Sequence, residues 1–187
     1  MQDGDLLLIT DMQNVYKKNQ PWACLDTEGV AKTIVRLCSA IKDSSKDIQI
    51  ASTIFLPPES PVGTWKDYNV RYADINSNQW MNAVIDELKE TVPRFPLYKK
   101  SVYSSIKVPE IRRAAQKAKR VILTGVVAEC CVLFTAFDAI DLGCKVVYLR
   151  DACSGFTKEK EAATELTLQG LSPLHVLLMN TDEYIKE

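Results

Sequence analysis

The sequence predicts a three-layer α/β protein: a doubly wound, mainly parallel sheet of about six strands with helices on both faces. Three observations predict it. Short continuous apolar runs, such as DLLLIT at 5–10 and VIL at 121–123, read as strands buried on both faces. Amphipathic stretches at helical spacing alternate with those runs. No internal repeat, low-complexity tract or linker divides the 187 residues, so one domain spans 1–187.

The elements follow in order. Asp5 to Thr10 is the first strand and ends at Asp11. Residues 26–42 form an amphipathic helix with Val30, Ile34, Leu37, Cys38 and Ile41 on one stripe. Asp47 to Phe55 is the second strand, stopped by Pro57-Pro58. Pro57 to Asn78 reads as a long irregular loop, a length typical of lids and binding loops. Trp80 to Glu90 has helical spacing, and Arg94 to Lys99 is a short third strand. Pro109 to Lys119 is a basic surface helix with proline at its start. Residues 121–125 form the central strand, and helical spacing runs from Val132 to Gly143. A fifth strand at Lys145 to Arg150, a helix near Lys158 to Gly170 and a strand at Leu174 to Met179 complete the set. The tail, Thr181 to Glu187, offers at most a helical turn.

Composition removes several function classes. The 23 basic and 24 acidic residues nearly cancel, so no basic surplus points to nucleic acid. The start, MQDGDLLLITD, has no basic segment and too short an apolar run for a signal peptide or membrane span. A soluble cytoplasmic protein is the expectation. Six cysteines without a C-x-x-C fit neither a secreted disulfide scaffold nor a zinc site. The one histidine, His175, lies in an apolar run and reads as a strand residue.

Candidate chemistry gathers at strand ends. Ligands in doubly wound sheets bind outside the carboxyl ends of the strands, where the strand order reverses. Asp11 directly follows the first strand; its plain alternative is a helix N-cap. Lys99 and Lys100 follow the third strand; they could equally be a solvated pair. Cys130 and Cys131 fall where the central strand hands over to a helix. Unpaired N–H groups and the dipole in a first helical turn push a thiol toward thiolate. The alternative is two small apolar residues in a buried turn. Together, a carboxylate, an ammonium and a thiol can activate a sulfur nucleophile and protonate a leaving amine.

Three strings carry a resemblance: DMQNVY at 11–16, KSVYSS at 100–105 and TGVVAECCVLFTAFDAIDLG at 124–143. Together they resemble the isochorismatase-like cysteine hydrolases, a superfamily that includes nicotinamidases, carbamoylsarcosine amidases and ureidoacrylate amidases. The resemblance spans almost the whole chain, through VVYLRDA at 146–152. It implies that Cys131, directly before Val132, is the nucleophile, and that Cys130 fills a variable position. It further implies Asp11 as general base and acid, and Lys100 as electrostatic support with Lys99 as the register alternative. A cis peptide between Val127 and Ala128 is implied, with an oxyanion hole from the backbone N–H groups of Ala128 and Cys131. Gln13, Tyr16, Trp65 and Tyr68 are the candidate substrate contacts.

Two departures shape the expectation. Ala128 stands where the family usually has threonine. The segment TIFLPPESPVGTWKDYN lacks the histidines of metal-binding nicotinamidases, so no metal and no cofactor are expected. The implied function is hydrolysis of a C–N bond in a small amide or carbamoyl compound, through a thioester on Cys131. A homo-oligomer, dimer or tetramer, is expected, with a small-molecule substrate and neither nucleic acid nor membrane as partner. Two other readings stay open at this point: a thiol redox protein using Cys130 and Cys131, and a non-catalytic small-molecule binder on the same fold.

Overall fold

The computed structural model describes residues 1–187, and its first strand shows how the layers arise. In β1 (Asp5–Thr10), Leu6 and Leu8 enter the apolar core on one side of the sheet, and Leu7 and Ile9 the core on the other. A strand buried on both faces cannot alternate apolar with polar, which is why these residues form one continuous apolar run. Each such fully buried leucine or isoleucine contributes about 1.5–3 kcal/mol relative to exposure.

The remaining strands are β2 (Gln49–Phe55), β3 (Leu97–Lys100), β4 (Arg120–Val126), β5 (Lys145–Ser154) and β6 (Val176–Met179). They pair in the order β3-β2-β1-β4-β5-β6, every pair parallel. The chain therefore winds outward from β1 to β3, then returns to the centre at β4 and winds the other way. The reversal lies between β1 and β4, and a crevice opens above their carboxyl ends.

Helix α1 (Thr27–Asp43) packs the expected stripe, Val30, Ile34, Leu37, Cys38 and Ile41, into one core. Its start is set by Asp26, whose carboxylate accepts the Gly29 N–H at 3.0 Å. Residues of α5 (Pro109–Lys117), α6 (Leu133–Asp141) and α7 (Lys158–Gln169) contribute to the opposite core. Gly125 keeps β1 and β4 close: its φ is +105°, and a Cβ there would sit 2.1 Å from the Thr10 carbonyl oxygen.

Several segments differ from the expectation. The stretch expected to be irregular contains α2 (Trp65–Arg71) and α3 (Ala73–Ser77). Neither buries a residue fully, so the usual apolar stripe is missing; Trp65 and Tyr68 of α2 make aromatic contacts, and the Asn82 amide donates to the Ile75 and Asn76 carbonyls of α3. Trp80 to Glu90 is not one helix. It splits into α4 (Gln79–Asn82), a 3-10 turn at Asp86–Leu88 and, between them, an extended stretch at 83–85. There Val84 bridges Gln13, the Ile85 N–H donates to Met12, and Ala83 accepts from Asn14. Pairing with the segment after β1 outweighs the helical spacing.

Strand β5 continues to Ser154, past a register shift, because Cys153 and Ser154 pair with Gly125 and Val126. The tail forms α8 (Thr181–Lys186), closed by a capping box between Asn180 and Glu183. His175 is exposed just before β6, at the amino edge of the sheet and away from the crevice. No helix is long and apolar enough to cross a membrane.

Candidate active site

Asp11 leaves β1 in a left-handed conformation, φ +50°, which a non-glycine residue adopts at a cost of about 1–3 kcal/mol. Backbone bonds hold it there: its N–H donates to Thr53 at 3.1 Å, and its carbonyl accepts from Gln13 at 2.8 Å. This turn aims the carboxylate into the buried base of the crevice. Oδ1 accepts the Thr53 hydroxyl at 2.8 Å. Oδ2 meets the Lys100 ammonium at 2.5 Å in a buried ion pair.

Lys100 ends β3 and is buried, whereas Lys99 is exposed. Its ammonium also donates to the carbonyls of Val102 and Tyr103, at 3.1 and 2.8 Å, and lies over the Phe55 ring. Burial alone would lower its pKa. The Asp11 carboxylate is the main influence that offsets burial and holds it above the ordinary lysine value.

Cys131 sits in a π-type turn, Ala128–Val132, between β4 and α6. Its buried thiol faces Asp11 and Lys100. The sequence expectation of a thiolate-prone cysteine is overturned. Burial pushes the thiol well above its ordinary value, the Asp11 charge pushes it further, and Lys100 only partly opposes them. Burial therefore outweighs the pull of the helix start on this thiol. The cis peptide also differs from the expectation: it joins Val126 to Val127, one residue earlier. Strand β4 pairs with β5 as far as Val126, so the bend falls directly where the strand ends.

Above the cluster lies a cavity of about 140 Å³. Cys131, Cys130 and Val127 form part of its wall, and the rest is aromatic. Of the expected contacts, Tyr16 and Tyr68 line it, and Gln13 and Trp65 do not. The Gln13 amide is used on the chain itself: it donates to the carbonyls of Phe55 and Asn82 and accepts the Phe55 N–H. Trp65 packs behind the wall, 5.1 Å from Tyr68 and 5.4 Å from Tyr103 between ring centres.

The sequence reading missed Trp22, Phe55, Tyr72, Tyr103 and Phe156, which also line the cavity. A signal existed for most of them. Phe55 and Phe156 stand at or just beyond the carboxyl ends of β2 and β5. Tyr103 lies in KSVYSS, and Tyr72 is one helical turn from Tyr68. Only Trp22, in the connection before α1, had none. All six cysteines are free thiols, and no three His, Cys, Asp or Glu side chains converge as a metal-ligand set.

Fold and crevice define a doubly wound α/β protein whose cavity opens at the strand-order reversal. The Isochorismatase domain model matches residues 5–175, and the chain belongs to that family. Solved structures agree with the fold. An isochorismatase-like hydrolase from Alkaliphilus metalliredigens is 20% identical with a TM-score of 0.75, over 97% of each chain. A cysteine hydrolase from Pseudomonas syringae pv. phaseolicola is 17% identical with a TM-score of 0.79, over 98% of this chain and 91% of that one. MAR1 ribonuclease from Caenorhabditis elegans is 17% identical with a TM-score of 0.73, over 99% and 81%. Curated protein sequences give no match.

Proposed function

We propose that this isochorismatase-family protein is a cysteine hydrolase that cleaves the C–N bond of a small, uncharged amide or carbamoyl compound. One observation carries the reading: Cys131, Asp11 and Lys100, from three separate parts of the chain, meet in one buried cluster beneath a cavity.

In this mechanism the Cys131 proton passes to Asp11 Oδ2 as the sulfur attacks the carbonyl carbon. A high thiol pKa beside a carboxylate suits this coupled transfer, because little free thiolate exists beforehand. The carbonyl π electrons move to oxygen. The N–H groups of Ala128 and Cys131 are the proposed oxyanion donors; removing one such donor typically costs about 2.7–4 kcal/mol. On collapse the C–N bond breaks, Asp11 returns its proton to the leaving nitrogen, and a thioester remains. Water then attacks the thioester, Asp11 takes its proton, and the released thiolate recovers that proton. Lys100 remains paired with the carboxylate at each resting stage.

The aromatic wall limits the substrate. No Arg, Lys or His lines the cavity, so a substrate carboxylate would be buried there without a cationic partner. A phosphodiester, as the name of the C. elegans relative suggests, meets the same objection. Assembly into a homo-oligomer belongs to this proposal, with the exposed Phe134 and Phe137 of α6 as an apolar face. Sedimentation at the mass of one chain would refute that part.

The test is ammonia release from a panel of small neutral amides and ureides, with Cys131→Ala as control. The reading expects turnover of at least one compound and none by the variant. Equal turnover by the variant would overturn it.

A further inference from the structure

One short loop holds the Asp11 carboxylate from both sides. Lys100, at its start, meets Oδ2 directly. Ser105, at its end, reaches Oδ1 through Thr53: the two hydroxyl oxygens are 3.3 Å apart, and Thr53 donates to Oδ1 at 2.8 Å. The direction of this chain is fixed. A carboxylate only accepts, so the single Thr53 proton lies on Oδ1, and the Ser105 proton must point to Thr53. The far end is tied to the nucleophile. Ser105 N–H donates to the Thr135 hydroxyl at 2.9 Å, and Thr135 donates to the carbonyl of Cys131 at 2.6 Å. Thr53, Ser105 and Thr135 are all buried, so water does not compete for these bonds.

We propose that Thr53 and Ser105 are positioning residues: a directed hydroxyl relay that occupies Oδ1 and leaves Oδ2 as the oxygen that exchanges a proton with Cys131. The relay rests on the reading of Asp11 as general base and explains why the serine of KSVYSS is buried beside the lysine. Hydrogen bonds donated to an ionised carboxylate favour its charged form. Without them the carboxylate would lose the bonds that hold Oδ1, and its activation of the thiol would weaken. The titratable and charged groups facing Asp11 are Lys100 from β3, Cys131 from the turn after β4 and the Tyr16 phenol. All three are retained in the variants below.

The experiment needs no knowledge of the substrate. Alkylation of Cys131 by iodoacetamide is followed against pH, with the modified peptide identified by mass spectrometry. Wild type is compared with Thr53→Val, Thr53→Ser, Ser105→Ala and Asp11→Asn, each checked for folding by circular dichroism. The relay expects Thr53→Val to move the acid limb of the profile toward higher pH. Thr53→Ser restores the limb, and Ser105→Ala moves it less in the same direction. An unmoved limb in Thr53→Val, where Asp11→Asn abolishes it, overturns the relay and leaves the base role intact. Should Thr53→Val not fold, an unmoved limb in Ser105→Ala overturns the relay. A limb unchanged in Asp11→Asn overturns the base role and the relay together.

Discussion

The Lys100 ammonium lies 2.5 Å from Asp11 Oδ2, with side-chain exposures of 1% and 0%. At that depth each charge depends on the other, because removal of one partner leaves an uncompensated charge away from water. Breaking a buried pair typically costs about 3–5 kcal/mol. Lys100→Met should therefore destabilise the protein by an amount in that range, read from urea midpoints. Asp11→Asn combined with Lys100→Met should lose less than the sum of the single changes. Additive losses would show that the two side chains do not act as a pair.

Neighbouring cysteines should behave differently. Cys131 is buried beside Asp11 and Lys100, whereas Cys130 is half-exposed on the cavity wall and contacts neither. Cys131→Ala should abolish turnover of any amide found in the screen, and Cys130→Ala should keep it within about tenfold, or about 1.4 kcal/mol of barrier. Intact mass after rapid acid quench should show an acyl adduct on wild type and Cys130→Ala only. An adduct mapped to Cys130 would reverse the assignment.

The two central strands were legible in the sequence because β1 and β4 each hold a continuous apolar run, Leu6 to Ile9 and Val121 to Leu123. Asp11 and Cys131 could be placed by the rule that crevices open at carboxyl ends, and Lys100 by the third strand. The aromatic wall was less legible. Helices α2 and α3 bury no residue fully, so Tyr68 and Tyr72 follow no apolar stripe. The extended chain at Ala83–Ile85 depends on partners more than sixty residues earlier, which local spacing does not encode. The helix-start argument for Cys131 omits burial, the leading influence on its thiol, and the buried-turn alternative carried that influence.

Trp22 joins the wall through rings of Tyr16, Tyr68 and Tyr72, at centre distances of 5.9, 6.3 and 5.3 Å. Each aromatic pair is worth about 0.5–1.5 kcal/mol beyond its buried area. Trp22→Ala should therefore widen the cavity and raise KM for a neutral amide by about tenfold or more, equivalent to at least about 1.4 kcal/mol. Trp65→Ala, which removes packing from behind the wall, should change KM by a smaller factor. A larger effect from Trp65 would mean that Trp65, rather than Trp22, sets the shape of the cavity.

On the opposite edge of the sheet, Asp5 accepts two bonds from Arg120, at 2.9 and 2.8 Å, and one from the Tyr184 hydroxyl at 2.8 Å. These tie β1, β4 and α8 together, so they act on stability and not on the cavity. Burial pushes the Asp5 pKa up, but the Arg120 and Tyr184 bonds outweigh it and leave the group below its ordinary value. A carboxylate depressed in the folded state stabilises above the unfolded value of about 3.9, and that contribution is lost as pH falls through the folded value. Asp5→Asn should therefore lower the urea midpoint at neutral pH. Its deficit relative to wild type should shrink as the solution is acidified through that window. A constant deficit at every pH would assign the loss to packing, with no contribution from the ionised carboxylate.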